Sequence, residues 1–121
     1  MKICITAKGT SLESEVDPRF GRCAYFIIIN STTMDFEVIE NSNAQTSGGA
    51  GIQAGQLVSE KNVEALLAGN VGPNAYETLN AAQIKVYTGI RGTVREAVEK
   101  FKNNELKETD KASVDSHFGI K

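Results

Sequence analysis

The chain is poor in the residues that most often carry catalysis and metal ligation. It has two cysteines, Cys4 and Cys23, one histidine, His117, and no tryptophan. Two cysteines are too few for the disulfide framework of a small secreted domain. Together with one histidine they also fall short of a four-ligand zinc or iron–sulfur site built within one chain. A single histidine in a polar C-terminal stretch gives a Ser–His–Asp arrangement no anchor, and neither HExxH nor a P-loop lysine pattern occurs. Long apolar runs are missing too. The longest, Ala24 to Ile29, is far below a membrane span, and Met1-Lys2 leads into too few apolar residues for a secretory leader. The expected location is the cytoplasm, with no membrane partner. Excess positive charge is also absent: 13 basic residues stand against 15 acidic ones, for a net charge of −2. General affinity for a nucleic-acid backbone is therefore disfavoured.

What is present reads as an ordinary globular domain. The 121 residues, 40% hydrophobic and 23% charged, suffice for one well-buried core and not for two. Residues 3–7, Ile-Cys-Ile-Thr-Ala, predict a strand covered on both faces. Residues 8–17 and the turn Asp17-Pro18-Arg19-Phe20-Gly21-Arg22 predict a loop, since Pro18 fixes φ and Gly21 frees it. Ala24–Ile29 and Phe36–Ile39 predict a hairpin around Asn30-Ser31-Thr32-Thr33. Helical spacing then predicts helices near 50–61, 74–82 and 93–103, alternating with strands at 63–68 and 84–87. Asn74 with Glu77, and Thr93 with Glu96, have capping-box spacing. Such alternation calls for parallel strands with right-handed crossovers, and the hairpin makes the sheet mixed. The expected fold is a three-layer α/β/α sandwich with a mixed five-stranded sheet, one domain over 1–105. The polar tail, 106–121, offers little apolar periodicity and is expected to be disordered. No internal repeat and no low-complexity run interrupts this order.

Three glycine-rich loops are candidate ligand contacts. Gly49-Ala50-Gly51-Ile52-Gln53-Ala54 matches G-x-G-x-x-G/A, but a long loop precedes it. Where an acid should meet a ribose stand Gly69, Asn70 and Val71, so a dinucleotide site is disfavoured. A more general reading survives: backbone N–H groups at a helix start favour anions. Gly69-Asn70-Val71-Gly72-Pro73-Asn74 and Gly89-Ile90-Arg91-Gly92-Thr93 each follow a strand, where ligands sit in open α/β sheets. Ordinary turn punctuation explains each loop alone; their coincidence at one sheet edge points to a shared shallow pocket. Cys4 reads as a core residue. Cys23, beside Arg22 at a strand start, is the candidate reactive thiol and soft-metal ligand, although core packing is its ordinary fate. It is expected to react with thiol reagents much faster than Cys4.

Four ordered blocks carry a resemblance: Asp17-Pro18-Arg19-Phe20-Gly21-Arg22-Cys23-Ala24-Tyr25-Phe26, Gly48-Gly49-Ala50-Gly51, Gly69-Asn70-Val71-Gly72-Pro73-Asn74, and Ile84-Lys85-Val86-Tyr87-Thr88-Gly89. Over roughly residues 1–105 the chain resembles the dinitrogenase iron–molybdenum cofactor biosynthesis family. The resemblance implies a ribonuclease H-like motif. It also implies a binding role rather than an enzymatic one, toward an iron–molybdenum or molybdenum–copper sulfide cluster or its precursor. The first strand lacks the carboxylate that two-metal nucleases of that fold use. Gly48 stands where several relatives place a histidine, which removes a side-chain ligand from that position. The implied cofactor-binding residues are Arg19, Arg22, Gly48, Gly49, Gly51, Asn70, Gly72 and Asn74, with Cys23 for metal. The implied partners are the cluster or a small anion and a cofactor-assembly protein, and the chain is expected to be a monomer. A regulatory or protein-interaction domain that has lost its ligand is the alternative.

Overall fold

A computed structural model describes residues 1–42, 49–110 and 112. Five strands and three helices follow one another as β1 (Lys2–Ala7), β2 (Tyr25–Asn30), β3 (Phe36–Glu40), α1 (Ala50–Glu60), β4 (Ala65–Leu67), α2 (Pro73–Ala81), β5 (Lys85–Tyr87) and α3 (Val94–Lys102). They form one sheet in the order β3-β2-β1-β4-β5. The hairpin pairs are antiparallel, with Ile5 opposite Ile27 and Ile27 opposite Val38. The β1–β4 and β4–β5 pairs are parallel, with Ile5 opposite Leu67 and Leu67 opposite Tyr87. This is the mixed five-stranded sheet of the ribonuclease H-like layout.

Strand alternation splits the core in two. Cys4, Phe26, Ile28, Leu66 and Val86 face α1 and α2, joined by Phe20, Cys23 and Val71. Ile3, Ile5, Ile27, Ile29, Ala65 and Leu67 face α3, through Val94, Ala97 and Val98. Full burial of each large apolar side chain contributes about 1.5–3 kcal/mol, so the continuous Ile/Leu character of β1 and β4 follows from their having helices on both sides.

Local chemistry sets the boundaries. The hairpin turn is closed by the Asn30 side chain, whose Oδ1 accepts from the amides of Thr32 and Thr33 at 2.9 and 3.1 Å. At α3, Thr93 and Glu96 form the reciprocal capping box read from the sequence. Asn74 does not cap α2. Pro73 occupies the first turn and Gly72 is the N-cap, with no side-chain bond; the fixed φ of proline starts the helix one residue earlier.

Residues 106–110, at the head of the stretch expected to be disordered, pack against the domain. Leu106 packs against the α3-side core. The Thr109 amide donates to the Val86 carbonyl at 2.7 Å, its hydroxyl accepts from the Thr88 amide at 3.0 Å, and its carbonyl accepts from the Tyr76 hydroxyl at 3.3 Å. One polar residue thus ties the tail to the outer edge of β5, which would otherwise present unpaired backbone. Periodicity cannot reveal such a latch. Val114 to Ile120, including His117, lies outside the described residues.

Candidate functional site

The sheet topology creates a switch point. From β1 the chain passes to β2 on one side, whereas β4 continues to β5 on the other. In open α/β sheets the crevice at such a point, beyond the carboxyl ends of the strands, is where ligands bind. Here a strap of residues 16–23 crosses it. The Asp17 amide donates to the Thr6 carbonyl at the end of β1 (2.9 Å), and the Phe20 amide donates to the Asn70 carbonyl after β4 (3.2 Å). The Asn70 side chain returns a bond to the Pro18 carbonyl at 3.3 Å. Gly69 is required by this approach, since a Cβ there would lie 2.5 Å from Pro18 Cα.

Two buried polar side chains hold the strap. Asp17 is 2% exposed. Its Oδ1 accepts from the Arg19 amide at 3.0 Å and its Oδ2 from the Ala24 amide at 3.2 Å. Asn41, at the end of β3, donates from Nδ2 to the carbonyls of Gly21 and Cys23 at 3.1 and 3.0 Å. Asn41 opens the polar stretch between β3 and α1. Nothing along the chain marks it, because its partners lie 18 and 20 residues away.

Above the strap, α1 and α2 run side by side in the same direction. Gly51 meets Ala75 and Gly55 meets Thr78, so both helices present their N-terminal ends together. Gly21 of the strap lies beneath, where a Cβ would come within 2.8 Å of the Gly51 amide nitrogen. Neither helix has a side-chain cap at this end. First-turn amides have no intrahelical partner, and each helix start carries a partial positive charge. Arg19, exposed, and Arg22, half-buried, are both carried on the strap, either side of Phe20 and Gly21.

The structure therefore brings together Arg19, Arg22, Gly49, Gly51, Asn70, Gly72 and Asn74. Gly48 lies outside the described residues. The third glycine loop does not join them. The first-turn amides of α3 at Val94 and Arg95 donate to the carbonyls of Ser14 and Leu12 at 2.9 and 2.8 Å, and Thr93 bonds the amide of Glu96. That helix start is filled by its own chain, so two loops, not three, line the site.

Of the two readings of Cys23, the structure has the core residue and not the accessible thiol. Cys23 is fully buried with Cys4 in the core beneath α1, not exposed at a strand edge. Burial pushes its thiol well above the usual range, and the nearby Cys4 and Asp17 add to the shift. The neighbouring Arg22 does not offset this. The argument that adjacency to a cation yields a thiolate presumes solvent access, which the packing of Phe20 and Phe26 over this region removes.

A groove of about 800 Å3 lies at the opposite end of the sheet, lined in part by Asn62, Gln83 and Asn104. Each of these follows a helix C-terminus in left-handed conformation, at φ of 58°, 63° and 57°. Helix C-termini are the negative ends of their dipoles. The helix ends here offer carbonyls, so the backbone amide donors for an anion lie at the other end of the sheet, although Lys85 and Lys102 also line this groove.

The pattern of the family described as dinitrogenase iron-molybdenum cofactor matches residues 1–104. The chain belongs to this family. Among solved structures, the cofactor-family fold superposes on the apo form of the orange protein from Desulfovibrio gigas with a TM-score of 0.91. The two are 38% identical, over 93% of this chain and 96% of that one. A NifB-like protein from Thermotoga is 41% identical, over 93% and 98% of the two chains, with a TM-score of 0.78. An uncharacterised protein of Methanocaldococcus jannaschii is 29% identical over 109 residues, 88% of this chain and 89% of its own. Among the described residues of the cofactor-family domain, no helix is long and apolar enough to cross a membrane.

Proposed function

We propose that this domain binds and carries an anionic metal–sulfur cluster, or its oxyanion or thioanion precursor, without catalysing a reaction of its own. The observation that supports this reading most is the pairing of two side-chain-uncapped helix N-termini, at Gly49–Gly51 and Gly72–Asn74, over a strap bearing Arg19 and Arg22. Backbone amides and guanidinium groups suit a bulky, delocalised anion. The burial of both thiols favours contact through these groups over ligation by Cys23. Likeness to the orange protein and membership of the cofactor family agree with such cargo. A carrier of this kind hands its cargo to a cofactor-assembly protein, which is the partner the reading implies.

The test is anaerobic incubation with molybdate, sulfide and copper(I), followed by desalting and a visible spectrum. Retained colour at a fixed stoichiometry, lost on Arg19→Ala with Arg22→Ala, is the expected result. Protein that desalts colourless overturns it. The second reading would then stand: a regulatory or interaction domain on the same fold. It is favoured by the lack, among the described residues, of any group of three His, Cys, Asp or Glu side chains placed to hold a metal ion.

A further inference from the structure

Asp17 is an odd residue to find here. It places a buried carboxylate directly on a strap whose other features, Arg19, Arg22 and two helix N-termini, all favour negative ligands. Left to electrostatics alone, a carboxylate at this position opposes an incoming anion. Its contacts show what it does instead. The Asp17 amide and carbonyl are both engaged by Thr6, at 2.9 Å to the Thr6 carbonyl and 2.8 Å from the Thr6 hydroxyl. The carboxylate takes the amides of Arg19 and Ala24, and it lies 3.6 Å from Arg19 Nε. The side chain of Arg19 is 46% exposed, whereas that of Asp17 is 3% exposed. An arginine this exposed ordinarily samples many rotamers. Asp17 engages both ends of it, the backbone through a hydrogen bond from the amide and the guanidinium through an ion pair at Nε, longer than a hydrogen bond. The Asn70 bridge holds the same residue from the other side.

We infer that Asp17 is a positioning residue for the anion site: its buried carboxylate holds the Arg19 guanidinium in place, so removing that charge weakens anion binding. The inference rests on the carrier reading for its ligand, and on the geometry of the strap for everything else. It is distinctive because the two effects of Asp17 have opposite signs. A carboxylate acting only as a nearby negative charge would tighten anion binding when neutralised. One acting through Arg19 would loosen it.

The experiment is a double-mutant cycle with tetrathiomolybdate as the probe, followed by visible titration of the full chain, using Asp17→Asn, Arg19→Gln and the pair. Asp17→Asn is expected to raise the dissociation constant about five- to tenfold, and to add almost nothing on top of Arg19→Gln, as for two residues acting through one contact. Tighter binding by Asp17→Asn overturns the inference, and so does an equal further loss in the Arg19→Gln background. If Asp17→Asn does not fold, Arg19→Lys takes its place. It keeps the charge but replaces the planar fork and its Nε by a single flexible ammonium, so a partial loss, smaller than that of Arg19→Gln, is expected and wild-type affinity overturns the inference. The Arg19 Nε–Hε resonance supplies a readout that needs no ligand. In Asp17→Asn, or in wild type against Arg19→Lys where the resonance is assigned by its loss, it should respectively move to and differ from the position of a free arginine side chain. If wild type takes up no tetrathiomolybdate the carrier reading fails, and this resonance alone decides the role of Asp17. A free-arginine position already in wild type sinks it.

Discussion

Cys23 shows how far identity and neighbours carry at the scale of one residue. Its sequence context, an arginine before it and a strand after it, is that of an activated thiol. What decides its chemistry is the partner set that folding assembles: Phe20, Phe26 and Cys4 around it, and Asn41 bonding its carbonyl. Both thiols are free and buried, and it is the thiolate that attacks a thiol reagent. The expected outcome of a labelling time course read by peptide mass mapping is that neither cysteine reacts appreciably in the folded protein, and that both react together when urea unfolds it. Rapid native labelling of Cys23 would show that the strap opens on its own and would restore the thiol to the site. Asp17 and Asn41 are the converse case. Read singly they are turn residues, yet both are at most 5% exposed, and between them they fix the strap.

The strap and the loop after β4 depend on backbone proximity that only one residue type permits. A Cβ on Gly69 would meet Pro18 Cα at 2.5 Å and the Pro18 carbonyl oxygen at 2.9 Å, both backbone atoms with little room to give. By contrast Gly89, at φ +74°, has nothing within 4 Å of its would-be Cβ. Gly69→Ala is therefore expected to lower the unfolding free energy by about 2–3 kcal/mol, in the range for overpacking a rigid site. Gly89→Ala should cost about 1 kcal/mol, the left-handed penalty alone. Urea midpoints of the two variants check the difference, and equal midpoints would mean that the strap shifts freely away from β4. The elements themselves were largely legible. The 3.6-residue spacing located α1, α2 and α3 to within a residue or two, and the Thr93–Glu96 box appears as read. The strands β4 and β5 came out shorter than the apolar runs that predicted them, because Val63 and Ile84 are buried without pairing in the ladder. What escaped were contacts made by single polar residues across long separations: Asn41 to the strap, and Thr109 to β5 and α2.

For the molecule as a whole, the candidate site exists because the sheet order brings the ends of β1 and β4 together and the parallel α1 and α2 start side by side. The four sequence blocks named its residues, but periodicity carries no information on which helix starts are left open. Gly89–Thr93 looked equivalent to Gly69–Asn74 until the loop at Leu12–Ser14 proved to fill it. The same central packing makes a prediction for the fold at high pH. Cys4 and Cys23 lie at the junction of β1, β2 and α1, and burial raises both thiols above the ordinary value of 9.0. In the unfolded chain they ionise near that value, while in the folded protein they stay protonated. Above pH 9 the unfolded state therefore binds fewer protons than the native one, and stability falls as pH rises; below pH 9 both states hold their thiol protons and this contribution is complete. Each buried thiol should cost about 1.4 kcal/mol for every pH unit above that point. Lysines and tyrosines also titrate in this window, so the comparison is with Cys4→Ala. That variant loses some stability at pH 7 from its cavity, but its decline between pH 9 and 11 should be shallower than wild type by about 1.4 kcal/mol per unit. Urea unfolding under reducing conditions across that range measures the two slopes. Parallel slopes would mean that Cys4 reaches solvent in the native state, and that β1 is not the sealed centre of the sheet.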